Sequence, residues 1–302
     1  MFGLNSANRR SVFLYLRYYY LDMPFFELFD ETLDINATGN YSLLMRIGRE
    51  ELAFAIMDNL RAKYILLRSF EPESGHHFSY DEIKNILLED EFLERRYKHV
   101  RIGVSSSKYS LVPAPIMDPG KKEQLFGLSH KIGENEVILA NRLDDPDAFL
   151  LFAVDGEIAN LAETLVPGQP PVHFVKPFVS NVLFYSKKKS VDSVYLFVGK
   201  DFVTISAVSN ETLKLCNSYG YRSPNDVLYF LLKVYKTLGI SNEIPLYCSG
   251  FVRKNGELYS LLSEYIKTVM FIGPAGNFSF SYVFNEEILH RYINLFSLIN
   301  CG

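Results

Sequence analysis

At 302 residues, with 48% hydrophobic and 22% charged residues, the chain has the size and composition of an ordinary folded protein of one or two domains. Its formal net charge of −4 gives no general attraction to nucleic acid or to an anionic membrane surface. Cys216, Cys248 and Cys301 are scattered and odd in number, a pattern that excludes a disulfide framework and suits reduced, buried thiols in the cytoplasm.

From the N-terminus, Arg9-Arg10 precedes an apolar run at 12–16 that Arg17 interrupts. That run is too short for a signal-peptide core or a membrane span. Residues 1–35 read as an N-terminal extension, and Met1–Met23 are expected to add little to the core. Tyr41–Ile47 is then a strand, Gly48-Arg49-Glu50 a turn, 52–57 a strand, Asp58-Asn59 a turn and 62–67 a strand. Links this short make antiparallel neighbours. After an insertion at 71–78, Ser79 caps a helix through Leu88, with Asp81 and Glu82 in its first turn. His99–Val104 is a fourth strand. A short extended run at 109–112 follows, then a helix from Pro119 to Leu128 capped by Asp118. Strands at 136–141 and 149–154 flank an acidic loop; Gly156–Leu165 is helical, 172–175 is extended, and 178–188 is helical.

The grammar of the first stretch then returns. Strands at 194–198, 202–208 and 212–219 are separated by Gly199-Lys200-Asp201 and Ser209-Asn210-Glu211. Both turns stand at one constant offset from Gly48-Arg49-Glu50 and Asp58-Asn59. Ser223, Pro224 and Asp226 start a mostly apolar helix that Gly239 ends. A strand at 244–248 must run parallel to its sheet neighbour, because a helix intervenes. Order, turn chemistry and spacing agree, so the chain reads as an internal duplication. The lobes are expected at 36–176 and 177–302, the second carrying a C-terminal strand at 278–284 and helix at 286–299.

Catalytic signatures are missing. Gly273-Pro274-Ala275-Gly276 lacks the Lys-Ser/Thr of a phosphate loop, and Gly103-Val104-Ser105-Ser106-Ser107 lacks the second Gly of a nucleophile elbow. His76-His77 has no completing carboxylate or thiol nearby, so no metal site is expected.

Two copies of strand-turn-strand-strand-helix-strand resemble the actin-like (ribonuclease H-like) ATPase fold of actin, sugar kinases and the large heat-shock chaperones. The chain more closely resembles a bacterial family of unknown function with that fold. The cues are Asp30-Glu31-Thr32-Leu33-Asp34, the strand into Gly48, Leu111-Val112-Pro113, the second unit, and Leu289-His290-Arg291-Tyr292 with Leu295-Phe296-Ser297-Leu298 and Cys301. Pilus- and secretion-associated actin-like proteins are a more distant likeness. The resemblance implies an α/β protein of two duplicated lobes, each with a mixed five-stranded sheet and flanking helices.

It also implies that an ATP-hydrolysing member ends the first strand of each lobe with Asp-x-Gly, where the Asp holds metal-bound or attacking water and the next amides cradle phosphates. Here the triplets are Arg46-Ile47-Gly48 and Phe197-Val198-Gly199. Both glycines are present and neither Asp is. Where a Gly-Gly turn is expected near the adenosine, Cys248-Ser249-Gly250-Phe251 has one Gly. The expected function is therefore a cytoplasmic binding or scaffold protein with no catalytic residue and no cofactor, whose partner is another protein. If ATP binds at all, its contacts would be Gly48, Arg49, Gly199, Lys200, Ser249 and Gly250. The alternative is an ATP-dependent phosphotransferase with relocated acids, for which Asp155 or Asp192 would serve.

Overall fold

The computed structural model of the chain describes residues 26–73, 76–189 and 192–301. The expectation for Met1–Met23 lies outside them. The first lobe is built on β1 (Phe26–Phe29), β2 (Tyr41–Ile47), β3 (Leu52–Asp58), β4 (Lys63–Phe70), α1 (Tyr80–Glu89), β5 (His99–Val104) and β9 (Val172–His173), in the sheet order β1-β4-β3-β2-β5-β9. The second lobe uses β10 (Ser193–Val198), β11 (Phe202–Ser209), β12 (Thr212–Gly220), α5 (Pro224–Leu238), β13 (Leu246–Gly250), α6 (Glu257–Tyr265) and β14 (Val269–Phe271), in the order β12-β11-β10-β13-β14. Laid side by side, β4-β3-β2-β5-β9 and β12-β11-β10-β13-β14 have one order and one set of senses. The first three strands of each are antiparallel, and the last two join in parallel. The duplication holds, and the five-stranded unit of the first lobe is extended by two further strands on β4.

One of those strands corrects the boundary drawn from chain order. β15 (Ser279–Phe280) pairs in parallel with Lys63 and Tyr64 of β4. The C-terminal helices α7 (Glu286–Arg291) and α8 (Ile293–Phe296), with a 3-10 turn at Ser297–Asn300, follow it. Tyr292, Leu295, Phe296 and Leu298 pack against Leu44, Ala53, Ala55 and Leu67 of the first sheet. The C-terminal strand and helix therefore belong to the first lobe's packing. The alternation at 278–284 that reads as a long strand serves another purpose: Phe278, Phe280 and Phe296 surround the buried Tyr64 ring at 5.2, 5.1 and 4.9 Å, and the Tyr64 hydroxyl donates to the Phe296 carbonyl. Residues 26–35, read as extension, are likewise integral. β1 pairs antiparallel with β4, the Asp30 amide donates to the Ile65 carbonyl at 2.7 Å, and Lys63 Nζ donates to the buried Asp30 carboxylate at 2.7 Å.

The opposite exchange joins the lobes. α4 (Val175–Lys189) follows the last strand of the first lobe, yet it packs on β11 and β12 of the second and against the C-terminal helices. Side chains alternate along β10 (period two): Tyr195 and Phe197 face the core that contains Phe174, Phe178 and Val182, while Val194, Leu196 and Val198 face the core of Val227, Leu231 and Val234 on α5. A small three-stranded sheet, β6 (Tyr109–Pro113), β8 (Ala148–Asp155) and β7 (Glu136–Leu143), lies between β5 and β9 in the chain. With α2 (Lys122–Gly127) it has its own core of Val112, Phe126, Ile138 and Leu151. Helix α3 (Gly156–Leu165) leads from it back to β9. Among the described residues no helix is long and apolar enough to cross a membrane.

Helix starts follow the expected chemistry. Ser79 and Glu82 form a reciprocal capping box at α1, and Ser223 and Asp226 form another at α5 with Pro224 in the first turn. Ser223→Ala should lower the unfolding free energy by about 1 kcal/mol, measured as a shifted urea midpoint with unchanged slope; an unshifted midpoint would show that the cap does not hold this helix.

Candidate functional site

The residues singled out from the sequence do meet, at the tips of the first hairpin of each lobe. β2 turns into β3 through Gly48-Arg49-Glu50, and β10 turns into β11 through Gly199-Lys200-Asp201. Beside the second turn, β13 ends in Ser249-Gly250 with Val198 and Gly250 in register. Lys200 Nζ donates to the Glu50 carbonyl at 2.8 Å, so the two tips touch across the lobes. The same ammonium stands 3.4 Å from Glu71, whose carboxylate also pairs with Arg291. The Arg291 guanidinium lies 4.6 Å from the centre of the Phe251 ring. Phe251 is itself held by its amide, which donates to the Val198 carbonyl at 2.8 Å.

Each position implied for metal or phosphate has an occupation within the protein. Arg46 is ion-paired with the buried Glu51 at 3.0 Å, and Ser69 Oγ donates to the other Glu51 oxygen at 3.3 Å. Phe197 is 1% exposed and packs against Phe174, Phe178 and Phe202 at ring distances of 5.2, 6.2 and 6.3 Å. Arg49 turns to the insertion: its Nε donates to the Phe78 carbonyl at 3.2 Å, and the Phe78 amide returns a bond to the Arg49 carbonyl at 2.7 Å. Ser249 is fully buried beside Phe197, with no hydrogen-bond partner for its hydroxyl among the described residues. The ring of His290 stacks on Phe271 at 4.2 Å; burial, against a hydrogen bond with the Gly250 backbone, pushes it down to about 4 and keeps it neutral near pH 7.

The glycines differ in what they are for. A Cβ at Gly48 would sit 3.5 Å from the Glu51 carbonyl, an ordinary contact. At Gly199 it would come within 2.9 Å of the Phe202 carbonyl, and at Gly250, where φ is +85°, within 2.1 Å of the Val198 carbonyl. Close packing accounts for Gly199 and Gly250; sterics place no such demand at Gly48.

The two acidic groups offered for an enzyme reading lie elsewhere. Asp192 precedes β10 at the end away from Gly199, about 20 Å along the strand, and accepts from Ser209 Oγ and the Asn210 amide at 3.0 Å each. Asp155 ends β8 and caps α3 through the Glu157 amide at 2.9 Å. Sequence reasoning missed the acids that do face the tips. Glu50 and Asp201 close the two turns at matching positions, and that match was the available signal. The Glu50 carboxyl is raised above its ordinary 4.5, first by burial and then by the charge and hydrogen bond of Asp201, with Arg46 and His77 opposing. Around the tips, Arg46 is paired with Glu51, and Lys200 and Arg291 with Glu71, so these three cations are already engaged and less available to a polyphosphate.

A group whose value is raised on folding contributes stability that is fully present below its unfolded-state value and lost as pH rises through the folded one. For Glu50 that loss begins near 4.5 and runs upward. Glu50→Gln should flatten the decline in urea midpoint over this interval, and an unaltered pH profile would mean that folding does not raise the Glu50 carboxyl.

Residues 30–269 match the family described as "Protein of unknown function (DUF3822)". No curated protein matches the chain. Among solved structures, a Bacteroides thetaiotaomicron protein with an actin-like ATPase fold and unknown function is 22% identical, with a TM-score of 0.75 over 90% of this chain and 100% of that one. The PilM–PilN type IV pilus biogenesis complex supplies a second, 16% identical, with a TM-score of 0.54 over 86% of this chain and 98% of that one. The fold is actin-like.

Proposed function

The chain belongs to the DUF3822 family, and from that premise we propose that it is a protein-binding scaffold that keeps the actin-like frame without ATP hydrolysis. The observation that carries this reading is the contact between the two hairpin tips, Lys200 Nζ to the Glu50 carbonyl at 2.8 Å. Phosphoryl transfer rests on positioning and on metal-borne neutralisation of charge. The residues at the tips do not fit a metal-bound nucleotide. The position of one carboxylate is a core phenylalanine, the other is an arginine already paired, and Lys200 and Arg291 nearby are paired with Glu71. Among the described residues no three of His, Cys, Asp and Glu assemble as metal ligands. Gly48, Arg49, Gly199, Lys200, Ser249 and Gly250 remain the contacts a nucleotide would use if one entered after the tips part. A protein partner is supported by analogy with PilM, whose similar structure is that of a complex with PilN; the partner works in the cytoplasm on this reading.

Calorimetry with ATP and Mg²⁺ should give no binding heat, and phosphate release should stay at background. Micromolar, Mg²⁺-dependent binding with turnover abolished by Asp192→Ala or Asp155→Ala would overturn the scaffold and establish a phosphotransferase or ATPase with relocated acids.

A further inference from the structure

Two sheets of this molecule end on the same groove. β12 is the last strand of the five-stranded sheet and β6 the last of the three-stranded one. Both line a cavity of about 850 Å³, within the range of about 300–1,000 Å³ usual for binding sites. Its floor is Tyr109 of β6 and Cys216 of β12, both buried, with the hydroxyl and the thiol 3.4 Å apart.

The backbone on each side points into the groove. Across β6 and β8 the Ala153 amide donates to the Lys108 carbonyl, and the Ala114 amide to the Asp147 carbonyl. Hydrogen-bonded pairs alternate in an antiparallel ladder, so Ser110 and Val112 also face β8, while Tyr109, Leu111 and Pro113 turn their backbone groups outward. The Tyr109 carbonyl is met by His130 Nε2 at 2.8 Å. On the other side the Tyr221 amide donates to the Asp201 carbonyl in the β11–β12 register. The same alternation directs Cys216, Ser218 and Gly220 away from β11 and into the groove. A bulge at Lys214, where the register passes from Ala207–Leu215 to Val208–Leu213, ends this regular edge.

An unpaired edge strand is a template for another strand. Two such edges on one groove offer hydrogen bonds to both sides of a single extended chain, on β6 chiefly through Leu111, because the Tyr109 carbonyl already meets His130. The charge of the lining narrows the occupant. Asp147 is tied to Arg142, while Lys214 is exposed and makes no ion pair among the described residues. We propose that this groove binds an extended peptide segment of a partner protein, inserted as a strand between β12 and β6, with an acidic side chain set against Lys214. The proposal rests on the protein-binding reading above and gives it a place and a partner chemistry. Alternate peptide side chains would lie over the Tyr109–Cys216 floor, and the others would face solvent.

The test is a random linear-peptide phage library panned on the full chain, with selected peptides synthesised and measured by calorimetry and hydrogen exchange. Enriched peptides should carry an acidic residue and slow the amides of Cys216, Ser218, Gly220 and Leu111. Methylating alternate backbone nitrogens of the peptide should weaken binding at least about tenfold, and methylating the intervening ones should not. Lys214→Glu, a change at an exposed position, should weaken the acidic peptides by a similar factor. Failure of any peptide to enrich, binding indifferent to backbone methylation, or protection of other segments would overturn the groove assignment. Protection of these amides in the free chain that grows with its concentration would assign the edges to a second copy and overturn the peptide. None of these results touches the scaffold reading, which ATP turnover alone would sink.

Discussion

Phe197→Ala should lower the unfolding free energy by about 3–5 kcal/mol, the usual cost of emptying a buried aromatic position. Phe197 stands where an ATP-hydrolysing relative is expected to carry a carboxylate, and here it belongs to a core shared by both lobes. Its ring packs against those of Phe174, Phe178 and Phe202, and its strand neighbour in β13 is the fully buried Ser249. Ser249 offers a single unpartnered hydroxyl beside it, too little to solvate a buried carboxylate. Phe197→Asp should therefore be worse than the alanine: it removes the same contacts and leaves an unpaired carboxylate among aromatic rings. Urea unfolding followed by circular dichroism reads both, with coincidence of a second probe as the check that the lobes unfold together. An aspartate variant that stayed folded and released phosphate from ATP would show that the cleft is an ATPase site lacking one residue, and the scaffold reading would go with it.

Much of this architecture was legible because it is local. Strands alternate or run continuously apolar, Gly-Arg-Glu and Gly-Lys-Asp mark equivalent hairpins, and Ser-x-x-Glu and Ser-Pro-x-Asp announce helix starts. The period-two pattern on β10 also separates its two cores, since Phe197 and Val198 point to opposite faces. What stayed hidden depends on contacts between remote segments. No local signal sends β15 to β4, because aromatic residues at 278–284 satisfy a strand pattern and a packing cluster equally well. The same holds at the tips. Each turn reads alone as a glycine, a cation and an acid, and on that reading Lys200 is free to meet phosphate. Its actual acceptor, the Glu50 carbonyl, is 150 residues away in the chain, and only the closure of the lobes shows that the cations are already engaged. Ser249 and Gly250 lie beside the second turn because β13 pairs in parallel with β10 in the register that sets Val198 against Gly250.

Gly250→Ala should destabilise the chain by about 3–5 kcal/mol, near the upper end for a single substitution. The backbone at Gly250 has φ of +85°, outside the range that L side chains ordinarily adopt, and that strain alone costs about 1–3 kcal/mol. The added methyl also has nowhere to go. It would lie 2.1 Å from the Val198 carbonyl oxygen and 3.0 Å from the carbonyl carbon and amide nitrogen of the same residue, all backbone atoms. Relief requires β13 to move from β10, which loosens the Phe251 amide bond to Val198 and the His290 contact with the Gly250 backbone. Gly48→Ala is the control, because it has a free Cβ position and no positive φ; it should change stability by no more than about 0.5–1 kcal/mol. A comparable loss at both glycines would mean that the two tips share one steric requirement. A large loss at Gly250 with near-neutrality at Gly48 would show that β13 is locked against β10 by close packing, while the first turn keeps a glycine that its present contacts do not demand.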